Sequence, residues 1–129
     1  MKIFIDSNIF VAVLTEEEER FSEAKKLLNS DHQIVTSMLN LMEVRSVLSK
    51  KKNHDRAEIQ EVEDDIIEMA DIIIPDSSDF IRANQLQKES YAYPIDSILM
   101  AIARNADAVL ATFDSELLDN GAKEPGELL

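Results

Sequence analysis

The chain contains no cysteine and no tryptophan, only two glycines and three prolines among 129 residues, and no apolar run long enough to span a bilayer. Without cysteine there is neither a disulfide nor a thiolate metal site, which suits a reducing compartment. The amino-terminal apolar stretch is interrupted by Asp6, Ser7 and Asn8, so it does not read as a signal peptide. A soluble, cytoplasmic protein with no membrane partner is expected. Positive charge is scarce as well: 13 Lys and Arg stand against 26 Asp and Glu, a formal charge of −13. Phosphate backbones are held by Lys and Arg, so this balance opposes broad, non-specific affinity for nucleic acid. Either the partner is not nucleic acid, or the acids are segregated and some of them hold a divalent metal.

What is present is a chain 45% hydrophobic, long enough for one domain over residues 1–129 with a real core. Short apolar runs at 2–5, 33–36, 72–74 and 107–112 read as strands. Between them lie helical patterns at 9–14, from the Glu16-to-Glu19 run through 28, and at 38–50, 56–69 and 77–89. A last helix, 97–103, is apolar nearly all round and therefore central. Ser37 and Asp55 are placed as N-caps, and Phe80, Ala83, Leu86 and Gln87 as the inner side of the 77–89 helix. The tail, 121–129, holds at most a short edge strand. Strands alternating with helices predict an α/β fold, a three-layer α/β/α arrangement on a short central parallel sheet with Rossmann-like topology. In such a sheet ligands bind at the carboxyl ends of the strands, and the ends of strands one and four can be neighbours beside the switch point.

Four carboxylates fall where that architecture makes them matter. Asp6 closes the first strand, followed at once by Ser7 and Asn8. Glu43 shares a helix face with Leu39 and Val47, where an unpaired charge is expensive to bury. Asp96 lies in the first turn of the apolar helix, on the side of Leu99 and Ala103. Asp114 follows the fourth strand with Thr112 just before it, repeating the layout at Asp6. Each has a bland explanation taken singly, since Asp, Ser and Asn all cap helices. Converging without a cation, the four would repel one another and some would be driven to protonate. Hard oxygen ligands in this number suit Mg²⁺ or Mn²⁺, with waters completing the shell. His32 and His54 fall in predicted loops away from the pattern, so zinc is disfavoured.

On these residues the sequence resembles the PIN-domain nucleases, and among them the small VapC-type toxins of prokaryotic toxin–antitoxin pairs. The likeness covers essentially the whole chain, with all four acids in order. It implies a metal-dependent endoribonuclease in which Asp6, Glu43, Asp96 and Asp114 are the acidic quartet that binds Mg²⁺ or Mn²⁺, and Ser7, Asn8 and Thr112 are supporting polar groups. It also implies a homodimer and an antitoxin whose basic tail enters the acidic site. Two departures stand out: Asp114 is followed by Ser115, Glu116 and Leu117 where the family often has a second acid and an aromatic, and the last strand is reduced to the polar Ala122-Lys123-Glu124. Arg45, Lys50, Lys51 and Lys52, on or just past the Glu43 helix, are candidate RNA contacts, although a helix C-terminus favours lysine for electrostatic reasons alone.

Two other functions fit the fold class. One is a housekeeping RNA-processing nuclease of the same family. The other is a phospho-receiver module, for which Asp76, Thr112 and Lys123 would be the working residues. The receiver lacks its second acid beside Asp6 and leaves Glu43 without a role.

Overall fold

A computed structural model describes residues 1–51 and 53–129. Its elements are β1 (Lys2–Ile5), α1 (Ser7–Leu14), α2 (Phe21–Leu28), β2 (Gln33–Ser37), α3 (Met38–Ser46), a π-helical turn (Val47–Lys51) and α4 (Arg56–Met69). They continue with β3 (Asp71–Ile73), α5 (Ser77–Ser90), α6 (Pro94–Asn105), β4 (Val109–Ala111), α7 (Ser115–Asp119) and a 3₁₀ turn (Pro125–Leu128). The four strands form one parallel sheet in the order β3-β2-β1-β4. Strand β1 is interior, pairing Ile3 with Ile34 on one side and with Val109 on the other.

Successive strand residues point to opposite faces, and β1 shows what that does here. Ile3 and Ile5 enter one core with Ile9 and Phe10 of α1, Leu27 of α2, Val44 of α3 and Ile66 of α4. Phe4 enters the other, with Leu86 of α5, Leu99 and Ile102 of α6 and Leu117 of α7. A parallel sheet is stable when both faces are covered, and the continuous apolar run of β1 meets that demand. Among the described residues no helix is long and apolar enough to cross a membrane.

The two expected caps form: Ser37 accepts from the Asn40 amide at 3.3 Å and Asp55 from the Glu58 amide at 2.9 Å. Several boundaries differ from the sequence reading. The Glu16-to-Glu19 run does not open α2 but lies in the preceding turn, with Glu16 at φ 50°. Consecutive glutamates repel, and the helix begins only at Phe21, where Ala24 and Leu27 can reach the core. The helix placed at 38–50 widens into the π turn after Ser46, which keeps Val44, Val47 and Leu48 together on the core side. Strand β3 is shifted by one residue, leaving Ile74 outside it and exposed. Phe80 is exposed rather than inward, because α5 turns Ala83 and Leu86 to the core. The tail contributes only a single bridge, Ala111 with Lys123.

Phe4→Ala should lower stability by about 3–5 kcal/mol in urea denaturation, through lost burial plus the cavity left behind. Met42→Ala, at a side chain 56% exposed, should stay within about 0.5 kcal/mol of the parent. Equal effects would contradict this placement of the core.

Candidate active site

Asp6 follows β1 directly, and its amide donates to the Ala111 carbonyl at 3.0 Å, which fixes the end of β1 against the end of β4. Its carboxylate is buried and held from three sides. Oδ1 accepts from the Ser7 amide at 2.7 Å and from Asn40 Nδ2 at 3.2 Å, and Oδ2 accepts from the Thr112 hydroxyl at 2.7 Å. The side chain therefore does not cap α1 in the usual way, through the second or third amide of the helix. Burial above all raises the Asp6 carboxyl from its ordinary value. The bonds from Thr112 and Ser7 pull it back, and the charges of Glu43 and Asp114 push it further up.

The groups around Asp6 are themselves fixed. Thr112 Oγ1 accepts from Asn8 Nδ2 at 3.1 Å and from the Asp114 amide at 3.0 Å. Asn8 Oδ1 accepts from the Phe113 amide at 3.2 Å, so Asn8 clamps the turn after β4. On the other side, Asn40 Nδ2 also donates to Ser7 Oγ at 3.0 Å, and Asn40 Oδ1 accepts from Ser37 Oγ at 2.5 Å. The ends of β1, β2 and β4 are thereby joined through polar side chains. Satisfied networks of this kind hold a buried charge in one geometry.

The other three acids surround this centre at differing exposure. Glu43 stands one turn beyond Asn40 on α3 and is exposed, because the buried stripe of that helix is Asn40, Leu41 and Val44. Its expected place on the core face with Leu39 and Val47 is thus the rim of that face. Asp96 is half-buried in the first turn of α6. Asp114 caps α7, accepting from the Glu116 amide at 2.8 Å. Asp96 is pushed up to about 6, first by partial burial, then by the charges of Asp114, Glu116 and Asp6. The charges of Glu43 and Asp114 thus act on Asp6, and those of Asp6, Asp114 and Glu116 act on Asp96. Among the described residues, however, no three His, Asp or Glu side chains are close enough to form a ready-made metal cage.

A family model described as a PIN domain matches residues 3–123. The chain belongs to the PIN-domain family. That membership supports a nuclease. Among curated proteins, none matches by sequence. Among solved structures, the chain is similar to a toxin–antitoxin complex from Klebsiella pneumoniae at 21% identity and TM-score 0.74, over 95% of this chain and 97% of the other. It is similar to VapBC2 from Rickettsia felis bound to a promoter DNA fragment, at 18% identity and TM-score 0.74, over 96% and 97%. It is also similar to Mycobacterium tuberculosis VapC20, a sarcin–ricin loop cleaving toxin, at 18% identity and TM-score 0.76, over 95% and 97%. At these identities the likeness establishes the fold.

The PIN fold brings Asp6, Ser7, Asn8 and Thr112 into direct contact or within one bond of it, and sets Glu43, Asp96 and Asp114 around them. Arg45 is ion-paired with Glu63 of α4, and Lys50 and Lys51 are exposed on the π turn, while Lys52 lies outside the described residues. The receiver candidates are also engaged: Asp76 caps α5 and Lys123 pairs with Glu127. Two site residues were missed in the sequence, Asn40 and Glu116. Asn40 had a signal, since it falls three residues after the Ser37 cap and three before Glu43, a spacing that shares a helix face. Glu116 had one too, as an acid two residues after Asp114 where the family often has a second acid, but α7, which carries it, was not expected.

Between about pH 4 and 6 the folded chain keeps a proton on Asp96 that the unfolded chain, near its ordinary value of 3.8, has lost. The folded state then binds more protons, so stability falls as pH rises through this window. Asp96→Asn should flatten the melting temperature against pH over that range and be relatively more stable at neutral pH. Superimposable profiles for the two proteins would refute the assignment.

Proposed function

We propose that this PIN-like domain, taken as one unit over residues 1–129, is an endoribonuclease dependent on Mg²⁺ or Mn²⁺ and the toxin of a type II toxin–antitoxin pair. The observation that carries this is the buried Asp6 carboxylate, bound on both oxygens and raised first by its burial and then by the charges of Glu43 and Asp114, with Asp96 raised beside it by partial burial and by Asp114, Glu116 and Asp6. Acids gathered in this way repel one another, and a divalent cation relieves that repulsion. The donor set is oxygen only, as Mg²⁺ prefers. That ion keeps several waters and needs only one or two direct carboxylates, so an open group of acids fits it better than a closed cage would.

Asp6, Glu43, Asp96 and Asp114 would hold the cation, which supplies a water of lowered pKa and offsets charge on the scissile phosphate. Thr112 and the Ser7 amide keep Asp6 ionisable against its burial. Asn40 aims Oδ1 of Asp6, and Asn8 holds the turn that presents Asp114. Arg45 is engaged by Glu63; Lys50 and Lys51, exposed on the π turn, and Lys52 are the cations proposed to guide RNA. The similar structure from Klebsiella pneumoniae is a toxin–antitoxin complex, as its name states, and a basic inhibitor tail suits a chain of charge −13. A homodimer acting in the cytoplasm completes the reading.

The test is cleavage of structured and single-stranded RNA with Mg²⁺, Mn²⁺ or EDTA. Activity should require the metal and be abolished by Asp96→Asn. Asn40→Ala, which frees Asp6 from one of its partners, should reduce activity by about 10- to 100-fold, the usual cost of losing a group that orients a metal ligand. Cleavage that survives both chelation and Asp96→Asn would overturn the mechanism.

A further inference from the structure

The segment leading into α6 spends stability where it has no structural need to. Tyr91 ends α5 at φ 56°, a left-handed conformation that glycine or asparagine adopts far more readily than an aromatic residue. Tyr93 is the N-cap of α6 yet makes no capping bond with its side chain, at a position where Ser, Thr, Asp or Asn would make one. Both rings face solvent: Tyr91 is 90% exposed and Tyr93 67%. Among the described residues neither phenol has a hydrogen-bond partner within the chain. These are the only tyrosines in a sequence without tryptophan.

The segment is nevertheless held in place. The Tyr91 amide donates to the Gln87 carbonyl at 3.0 Å, and Gln87 Nε2 donates to the Ala92 carbonyl at 3.1 Å, so the backbone between the two rings is pinned to α5. Tyr93 immediately precedes α6, whose first turn carries Asp96. Two exposed aromatic rings thus stand on the short segment that enters the helix carrying Asp96.

We propose, resting on the ribonuclease reading, that Tyr91 and Tyr93 form a stacking platform for unpaired bases of the RNA at the entrance to α6. The acids Asp6, Asp114 and Glu116 that act on Asp96 repel phosphates, so affinity at this end of the sheet needs a source other than phosphate contacts. Stacking on aromatic rings supplies affinity without cations, and every base has a face to offer. A paired helix keeps its bases stacked internally and leaves none free for the rings.

Because the chain has two tyrosines and no tryptophan, its intrinsic emission reports on these two rings alone. The experiment titrates a short single-stranded RNA, and a duplex of the same sequence, into the full chain in EDTA. It records tyrosine emission alongside the anisotropy of the labelled RNA, and then assays cleavage with Mg²⁺ or Mn²⁺. Saturable quenching by the single strand and little by the duplex is expected, with a shallow dependence of affinity on salt. The paired substitution Tyr91→Ala and Tyr93→Ala should weaken single-strand binding by about tenfold or more, while Tyr91→Phe with Tyr93→Phe restores it. Tyr91→Gly, which relieves the left-handed backbone, should melt no lower than the parent yet bind more weakly. If the parent cleaves RNA in a metal-dependent way but the alanine pair binds and cleaves equally well, the platform is wrong and the nuclease stands. If the parent cleaves no RNA with either metal, both fall. Tyrosine emission that follows protein concentration without RNA, with the alanine pair shifting the sedimentation of the chain to a smaller species, would assign the rings to self-association and overturn the proposal.

Discussion

Burying one carboxylate at the end of the central strand is the constraint around which this molecule is arranged. An isolated charge at the depth of Asp6 is expensive, and here the cost is met by hydrogen bonds from Ser7, Asn40 and Thr112. Those donors come from α1, from α3 and from the residue after β4, so the bonds also fasten three strand ends to one another. The backbone bond from Asp6 to Ala111 adds the same link in the main chain. Stability and site geometry are therefore not separable at this end of the sheet.

The electrostatics follow from that arrangement. Asp6 cannot move away from its neighbours, so the charges of Glu43 and Asp114 act on it, and Asp96 feels Asp6, Asp114 and Glu116 in turn. A protein selected only for stability would dilute such a group with lysine or arginine. This one does the reverse: Arg45 is turned to Glu63 on α4, and the acids are left to face one another. Perturbed carboxylates gathered in this way are a mark of functional sites.

The acidic total, which first argued against nucleic acid, takes on a different sense once the fold is known. Part of the charge lies on exposed surfaces such as α4, where Glu58, Glu61, Asp64, Asp65 and Glu68 face solvent. A smaller part is gathered at the carboxyl ends of β1 and β4. Composition sums the two, whereas only the second bears on chemistry.

The alternation of short apolar runs with amphipathic stretches was enough to give a parallel sheet covered on both faces, because burial of a run such as Ile3-Phe4-Ile5 leaves few other solutions. The order of the four acids and the adjacency of strands one and four were legible for the same reason. What the chain alone left open depends on distances between residues far apart in sequence. Asn40 looked like an ordinary polar residue until the fold set it against Asp6. Glu43 looked like a core-face residue until the buried stripe of α3 proved to run through Asn40, Leu41 and Val44. Arg45 read as free until α4 supplied Glu63. Local pattern dictates which elements form and which face each one buries; which polar groups meet across the top of the sheet is decided by long-range packing, which no window of neighbouring residues contains.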